Sequence, residues 1–172
     1  MEERPCVFCL IVAKKVPARI VYEDENYVAF LDIRPLNPGH TLLIPKIHHR
    51  WIYDVPNFGG LWEVAKRIGT GIIKALNAFS ISYATLGFEV PHAQIWIIPR
   101  YENDDHGGAI NWTAIKQIPD QEMDEIARKV KENIPAEEKK EEVKAVEEKP
   151  AEEREERSEE EIRLIRRELE LT

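Results

Sequence analysis

The run from Pro91 to Arg100, PHAQIWIIPR, limits the fold most, because its residues alternate in character. Successive side chains of a β-strand point to opposite faces, so His92, Gln94 and Trp96 share one face while Ala93, Ile95 and Ile97 share the other. The apolar face has to be covered by a core, and the polar face is left for chemistry. A strand is therefore expected over 92–98. Stretches 19–22, 27–32, 41–44 and 80–84 read as further strands separated by turn signals. After Pro56, Leu61, Val64, Ala65, Ile68, Ile72, Ala75 and Leu76 recur at helical spacing and predict one long amphipathic helix. Met123, Ile126, Ala127, Val130 and Ile134 predict a C-terminal helix, and a short helix is expected over 8–13. An antiparallel sheet with one main helix against it is an α+β architecture.

Charge is divided unevenly along the 172 residues. From Ala136 onward 15 Glu face 9 Lys and Arg, so this stretch carries −6 of the net −8 and leaves −2 for the rest. Such a balance advertises no basic surface for duplex nucleic acid. Three regions are expected: a folded domain over 1–134, a charged linker over 135–157 and a short amphipathic helix over 158–172. Ser158 would cap that helix, and Ile162, Ile165 and Leu169 would line one face, which needs a surface or protein partner to dock on. No signal peptide or membrane-spanning run is read, so the expected location is cytoplasmic, with no membrane contact. In a reducing compartment Cys6 and Cys9, spaced Cys-x-x-Cys, point to metal or redox chemistry before a disulfide.

Several motifs recur in order between Cys6 and Arg100. They are the Cys-x-x-Cys opening, Val21-Tyr22-Glu23-Asp24, Ala29-Phe30-Leu31-Asp32, Pro38-Gly39-His40, Ile44-Pro45-Lys46-Ile47-His48 and the alternating strand closed by Pro99-Arg100. Together they strongly resemble the histidine-triad (HIT) family, over about residues 5 to 134, and in particular its zinc-bearing, Hint-like branch. The resemblance implies the same α+β fold, a nucleotide site and a homodimer formed through the main helix and an adjoining strand.

The resemblance also implies a metal site. Zinc takes four tetrahedral nitrogen and sulfur ligands. Zinc-bearing members take two from the Cys-x-x-Cys, one from the histidine of Ile-Pro-Lys-x-His and one from the first triad histidine. Carried onto this sequence the set is Cys6, Cys9, His48 and His92, with Zn2+ as the cofactor. His49, adjacent to His48, competes for the third place.

A nucleotide pocket is implied by Phe8 on the base side and by Asp32 and Ile33 beside base and ribose, with Gln94 and Trp96 at the phosphate end. A carboxylate suits a ribose because it accepts from both hydroxyls. Asp32 also has a simpler reading as the residue that starts the turn through Arg34-Pro35. The expected ligand is a purine nucleoside or nucleotide.

At the phosphate end the pattern departs from the family. Active members attack the α-phosphorus with the middle histidine, and Gln94 stands there, with Trp96 at the third position. An amide has no basic nitrogen to attack phosphorus, and indole offers a single N–H donor. The loop before the strand is about three residues shorter than in the family, and Glu89 falls where a phosphate-contacting serine usually lies. The usual nucleotidyl-hydrolase route is therefore expected to be lost or altered. A rival register matches PHAQIW to galactose-1-phosphate uridylyltransferases, which would make His92 the nucleophile and Gln94 its partner. The HIT register keeps Ile97 to Arg100 and all four metal ligands, and it is the one adopted. A third reading is a non-catalytic interaction module, with the pocket closed by Trp96 and Phe88. His40 is expected to be buried and hydrogen-bonded, and His106 to lie in an exposed loop.

Overall fold

The computed structural model describes residues 5–136 and, beyond them, 163, 164, 166 and 167. Strands β1 (Ile20–Glu23), β2 (Tyr27–Leu31) and β3 (Thr41–Pro45) form a meander, and β4 (Ser80–Ala84) pairs with β5 (Ile95–Arg100). The strands join as one five-stranded sheet in the order β1-β2-β3-β5-β4, every neighbouring pair antiparallel. Helix α1 (Val7–Val12) precedes the sheet, α2 (Phe58–Leu76) connects β3 to β4, and α3 (Asp120–Asn133) follows β5. This is the α+β architecture the sequence pattern implies.

Each face of the sheet has its own cover. Ala29, Leu31, Leu43, Ile95 and Ile97 point into a core closed by Leu61, Val64, Ala65, Ile68 and Ile72 of α2 and by Met123, Ile126 and Val130 of α3. Val28, Phe30, Leu42 and Ile44 point the other way and pack on Phe8 of α1, with Trp96 at the edge of that cluster. Alternation along each strand thus sorts its residues between two apolar layers. Helix α2 starts at Asn57, whose side-chain oxygen accepts the Gly60 N–H at 3.0 Å, and ends at Asn77 in the left-handed conformation, φ 53°. Both are ordinary devices for satisfying helix ends. Gly71 of α2 is required by proximity, because a Cβ there would lie 2.9 Å from the Cα of Ile134. Arg19 at the start of β1 holds α3 from the side, with Nε 2.6 Å from Asp124 and Nη2 2.8 Å from Asp120.

The active-face strand starts later than the alternation predicts, at Ile95 and not at His92. The pairing Thr41 with Ile97 and Leu43 with Ile95 would next set Pro45 against Ala93. Pro45 has no amide hydrogen, so the ladder stops there. The Ala93 N–H goes instead to the His49 carbonyl at 2.7 Å, and His92 N–H turns back to Val90 at 2.8 Å. Side-chain alternation survives the change in backbone pairing.

The chain divides into two units, Met1–Ala136 and Glu137–Thr172. In the second, Arg163, Leu164, Arg166 and Arg167 are helical and exposed. The rest of the expected linker beyond Ala136, and of the helix over 158–172 with its Ile162, Ile165 and Leu169, lies outside the described residues. No described helix is long and apolar enough to cross a membrane.

Candidate functional site

Three separate segments bring Cys6, Cys9, His48 and His92 together, with all four ligand atoms within 4.8 Å of one another. Cys6 and Cys9 lie one turn apart at the start of α1, His48 follows β3, and His92 precedes β5. Cys6 Sγ is 3.4 Å and Cys9 Sγ 3.6 Å from His92 Nδ1, while Cys9 Sγ is 3.3 Å from His48 Nδ1. Metal–ligand bonds of about 2.0–2.3 Å at tetrahedral angles put neighbouring ligand atoms about 3.3–3.8 Å apart. These separations fit a thiolate and imidazole cage. His49, the competing residue, contributes its backbone carbonyl to Ala93 and is not in the cluster.

His92 is fully buried, and both of its ring nitrogens are committed. Nε2–H donates to the Pro45 carbonyl at 2.9 Å, which leaves the Nδ1 lone pair facing the two thiols. A carbonyl behind a ligating imidazole fixes its tautomer and orientation. Burial lowers the His92 pKa, against the Pro45 hydrogen bond, and nearby His48 lowers it further, so the ring stays neutral. Burial, reinforced by Cys6, pushes the Cys9 thiol up to about 11, so a metal bound here would displace protons.

Gln94 and Trp96 form the next layer along the same face. Gln94 is 4% exposed, and its Oε1 accepts the Trp96 indole N–H at 3.0 Å. The indole stands between His40, centroid distance 4.9 Å, and Trp112, 6.0 Å. His40 is fully buried, as expected, and burial drives its pKa down to about 3. Its Nδ1 accepts the Leu36 N–H at 3.3 Å, which places the ring proton on Nε2, and that N–H has no partner among the described residues.

The base and ribose residues are distributed differently. Phe8 is buried edge-on against Phe30 at 5.5 Å and His92 at 5.8 Å. Ile33 is 84% exposed and open to a ligand. Asp32 does start the turn, since Oδ1 accepts the Arg34 N–H at 2.8 Å, while Oδ2 lies 3.7 Å from His40 Nδ1. Burial raises its pKa above the usual carboxylate value. Glu89 is paired with Arg34 at 3.2 Å, so its charge is partly answered. Phe88 does not close the pocket: it is 84% exposed and leans on Trp51.

Two features of the site were not legible in the sequence. His106 is buried, contrary to the expected exposed loop, because Nε2–H donates to the Leu36 carbonyl at 3.4 Å and Nδ1 accepts the Asn111 N–H at 3.1 Å. The segment after β5 is strapped onto the β2–β3 turn by these bonds and by Lys116 N–H to the Pro35 carbonyl at 2.8 Å, which brings Trp112 to Trp96. A polar, Gly-containing stretch carries no periodic signal of such packing.

Comparison with known proteins agrees with the fold. The HIT domain model matches residues 13–103. An uncharacterized HIT-like protein of Methanocaldococcus jannaschii is 36% identical over 135 residues, 73% of this chain and 98% of that protein. The adenosine 5'-monophosphoramidase of Saccharomyces cerevisiae is 30% identical over 112 residues, 63% of this chain and 70% of that enzyme. The crystal structure of a zinc-bound histidine triad family protein from Mycobacterium smegmatis superposes with a TM-score of 0.65 at 32% identity, covering 76% of this chain and 93% of that one. The chain belongs to the histidine-triad (HIT) family.

Proposed function

We propose that this is a zinc-braced HIT protein that binds a purine nucleoside or nucleotide but does not use the family's usual nucleophile. Cys6, Cys9, His48 and His92 would hold the zinc, and its role would be to tie α1 to the loops flanking β3 and β5. Phe8, Asp32, Ile33, Gln94 and Trp96 would contact the ligand. The observation that carries the reading is the state of His92 beside Gln94. The single surviving triad histidine has both nitrogens engaged and no exposed surface, and the middle position holds an amide that cannot attack phosphorus. The same observation weighs against the transferase register, in which His92 would need a free nitrogen. The yeast relative that hydrolyses a phosphoramidate supports nucleotide recognition as the inherited part. A homodimer is part of the proposal: β4 is an edge strand, and Phe79 and Tyr83 near or on it are 74% and 38% exposed.

The test is turnover of adenosine phosphoramidate, dinucleoside polyphosphate and nucleotide-sugar substrates by pure protein of measured zinc content, with His92→Ala alongside. One equivalent of zinc, binding of adenosine nucleotides that Asp32→Ala weakens, and no turnover are expected. Turnover that vanishes in a still-folded His92→Ala would overturn the reading in favour of the transferase-like enzyme.

A further inference from the structure

Phe8 stands in the chain between the two thiols of the cluster, and it is the residue the nucleotide reading sets against the base. Helix α1, which carries all three side chains, has little of its own to hold it in place. It is 6 residues long, its N-cap Cys6 makes no side-chain capping bond, no acidic residue lies in its first turn and no basic one in its last. So short a helix without such aids is marginal in water, and tertiary contacts have to set where it sits. Those contacts are of two kinds. Phe8 is the one buried residue of α1, its ring edge-on to Phe30 and to His92, and Ile11 and Val12 add a half-buried margin on the same apolar layer. Cys6 and Cys9 supply the other kind, reaching His92 at 3.4 and 3.6 Å, with Cys9 also 3.3 Å from His48. As thiol–imidazole contacts these are weak, because S–H is a poor donor. As thiolate and imidazole ligands of one ion they would be strong, and metal-binding free energy would become order in the segments that carry them. His92 belongs to both sets, as a member of the cluster and as the wall Phe8 packs on.

We propose that zinc at the four-residue cluster and a nucleoside in the pocket bind with positive cooperativity, and that Phe8 is the positioning residue that links the two sites. The inference rests on the reading above and adds to it the regulation of that site: its affinity follows the metal. The physical cause is shared ordering. Once Cys6, Cys9 and His92 are tied to one ion, α1 and the ring it places against His92 are held. A base that packs on a wall already in place spends less of its binding energy on ordering that wall. Coupling between two binding equilibria is reciprocal, so the factor by which zinc tightens nucleoside binding is also the factor by which nucleoside tightens zinc binding. Zinc supply thereby sets the fraction of the protein ready to bind, a role separate from holding the domain folded.

The test uses the full zinc-loaded chain and measures zinc retention against a competing chelator, without adenosine and with adenosine at saturation. Adenosine should raise the zinc affinity of the wild type by about tenfold, an ordinary size for such a coupling. Phe8→Ala keeps all four ligands, and its factor should fall toward one even with adenosine raised to saturate the variant. Phe8→Leu keeps the apolar layer filled and loses the aromatic edge against His92; it should lower the factor as well, and it serves if Phe8→Ala holds no zinc. Val7→Ala, on the same helix at a residue 39% exposed, should keep the wild-type factor. If the metal acted only by keeping the whole domain folded, any ligand of the folded chain would protect it, and the Phe8 variants would keep the factor; that result overturns the proposal. A wild-type factor of one, with zinc and adenosine both bound, overturns it too and spares the zinc and nucleotide readings. A chain that binds no adenosine, or no zinc, overturns the inference together with the reading it rests on.

Discussion

Replacing Asp104 by Asn should cost far more than any exposed ion pair in the protein. The Asp104 side chain is 3% exposed and its partner Arg100 is 14% exposed. Arg100 Nε donates to it at 2.6 Å and Nη2 at 3.1 Å, Asn37 Nδ2 at 3.0 Å, and the Tyr101 and His106 backbone N–H groups at 3.2 Å each. Arg100, first among these, holds the carboxyl well below the usual range, against the effect of burial. The carboxylate thereby joins the end of β5, the β2–β3 turn and the start of the strap that carries His106 and Trp112. An amide keeps the shape but leaves the guanidinium without a counter-charge, and breaking one partner of a buried pair costs about 3–5 kcal/mol. We expect about 3 kcal/mol, since Asn keeps one of the two acceptor oxygens and with it one of the two backbone N–H bonds, and a fall in Tm of roughly 10 °C. Urea unfolding of Asp104→Asn, of Glu132→Gln in the exposed pair with Arg128, and of the double variant Asp104→Asn with Arg100→Met measures it. The exposed pair should change stability by less than about 1 kcal/mol, and the double variant should lose less than Asp104→Asn alone. The pH dependence has a fixed sign: because the folded carboxyl is held down, its stabilisation is complete above the unfolded value of about 4 and is lost as pH falls toward the lower folded value. A loss under about 1 kcal/mol in Asp104→Asn, or a double variant worse than the single one, would refute the argument that burial gives this pair its weight.

Chelation is the second perturbation: if zinc is held as proposed, a strong chelator should release one equivalent of it and lower the Tm, and His48→Ala should release it more readily than His49→Ala, because of these two neighbours only His48 reaches the cysteines. Equal retention in the two variants would remove His48 from the ligand set. Gly39→Ala should destabilise by about 1–2 kcal/mol, the cost of a side chain in the left-handed region. Gly39 has φ +87° and its Cβ would lie 2.5 Å from Leu76 Cδ1, a flexible tip, so most of the cost is backbone. Thermal melts of Gly39→Ala and Gly59→Ala separate the two effects, since Gly59 has nothing within 4 Å of its Cβ.

Local patterns in the sequence determined the parts of this protein that depend on near neighbours. Period-two alternation set which of His92 to Ile97 share a face, helical spacing fixed the buried side of α2, and the order of short motifs identified the family. Cys-x-x-Cys placed two thiols on one turn because that spacing is itself a turn. The tertiary structure decided what depends on residues brought together from far along the chain. It chose His48 over His49 for the cluster, because the backbone turn after Pro45 spends the His49 carbonyl on Ala93. It ended the pairing of β5 at Ile95, because the residue across the ladder happens to be a proline. It buried His106 through a carbonyl 70 positions away and gave Gln94 its direction through an indole that only donates. A hydrogen bond has a donor and an acceptor fixed in space, and a one-dimensional pattern carries the identity of each group but not which partner the fold will set in front of it.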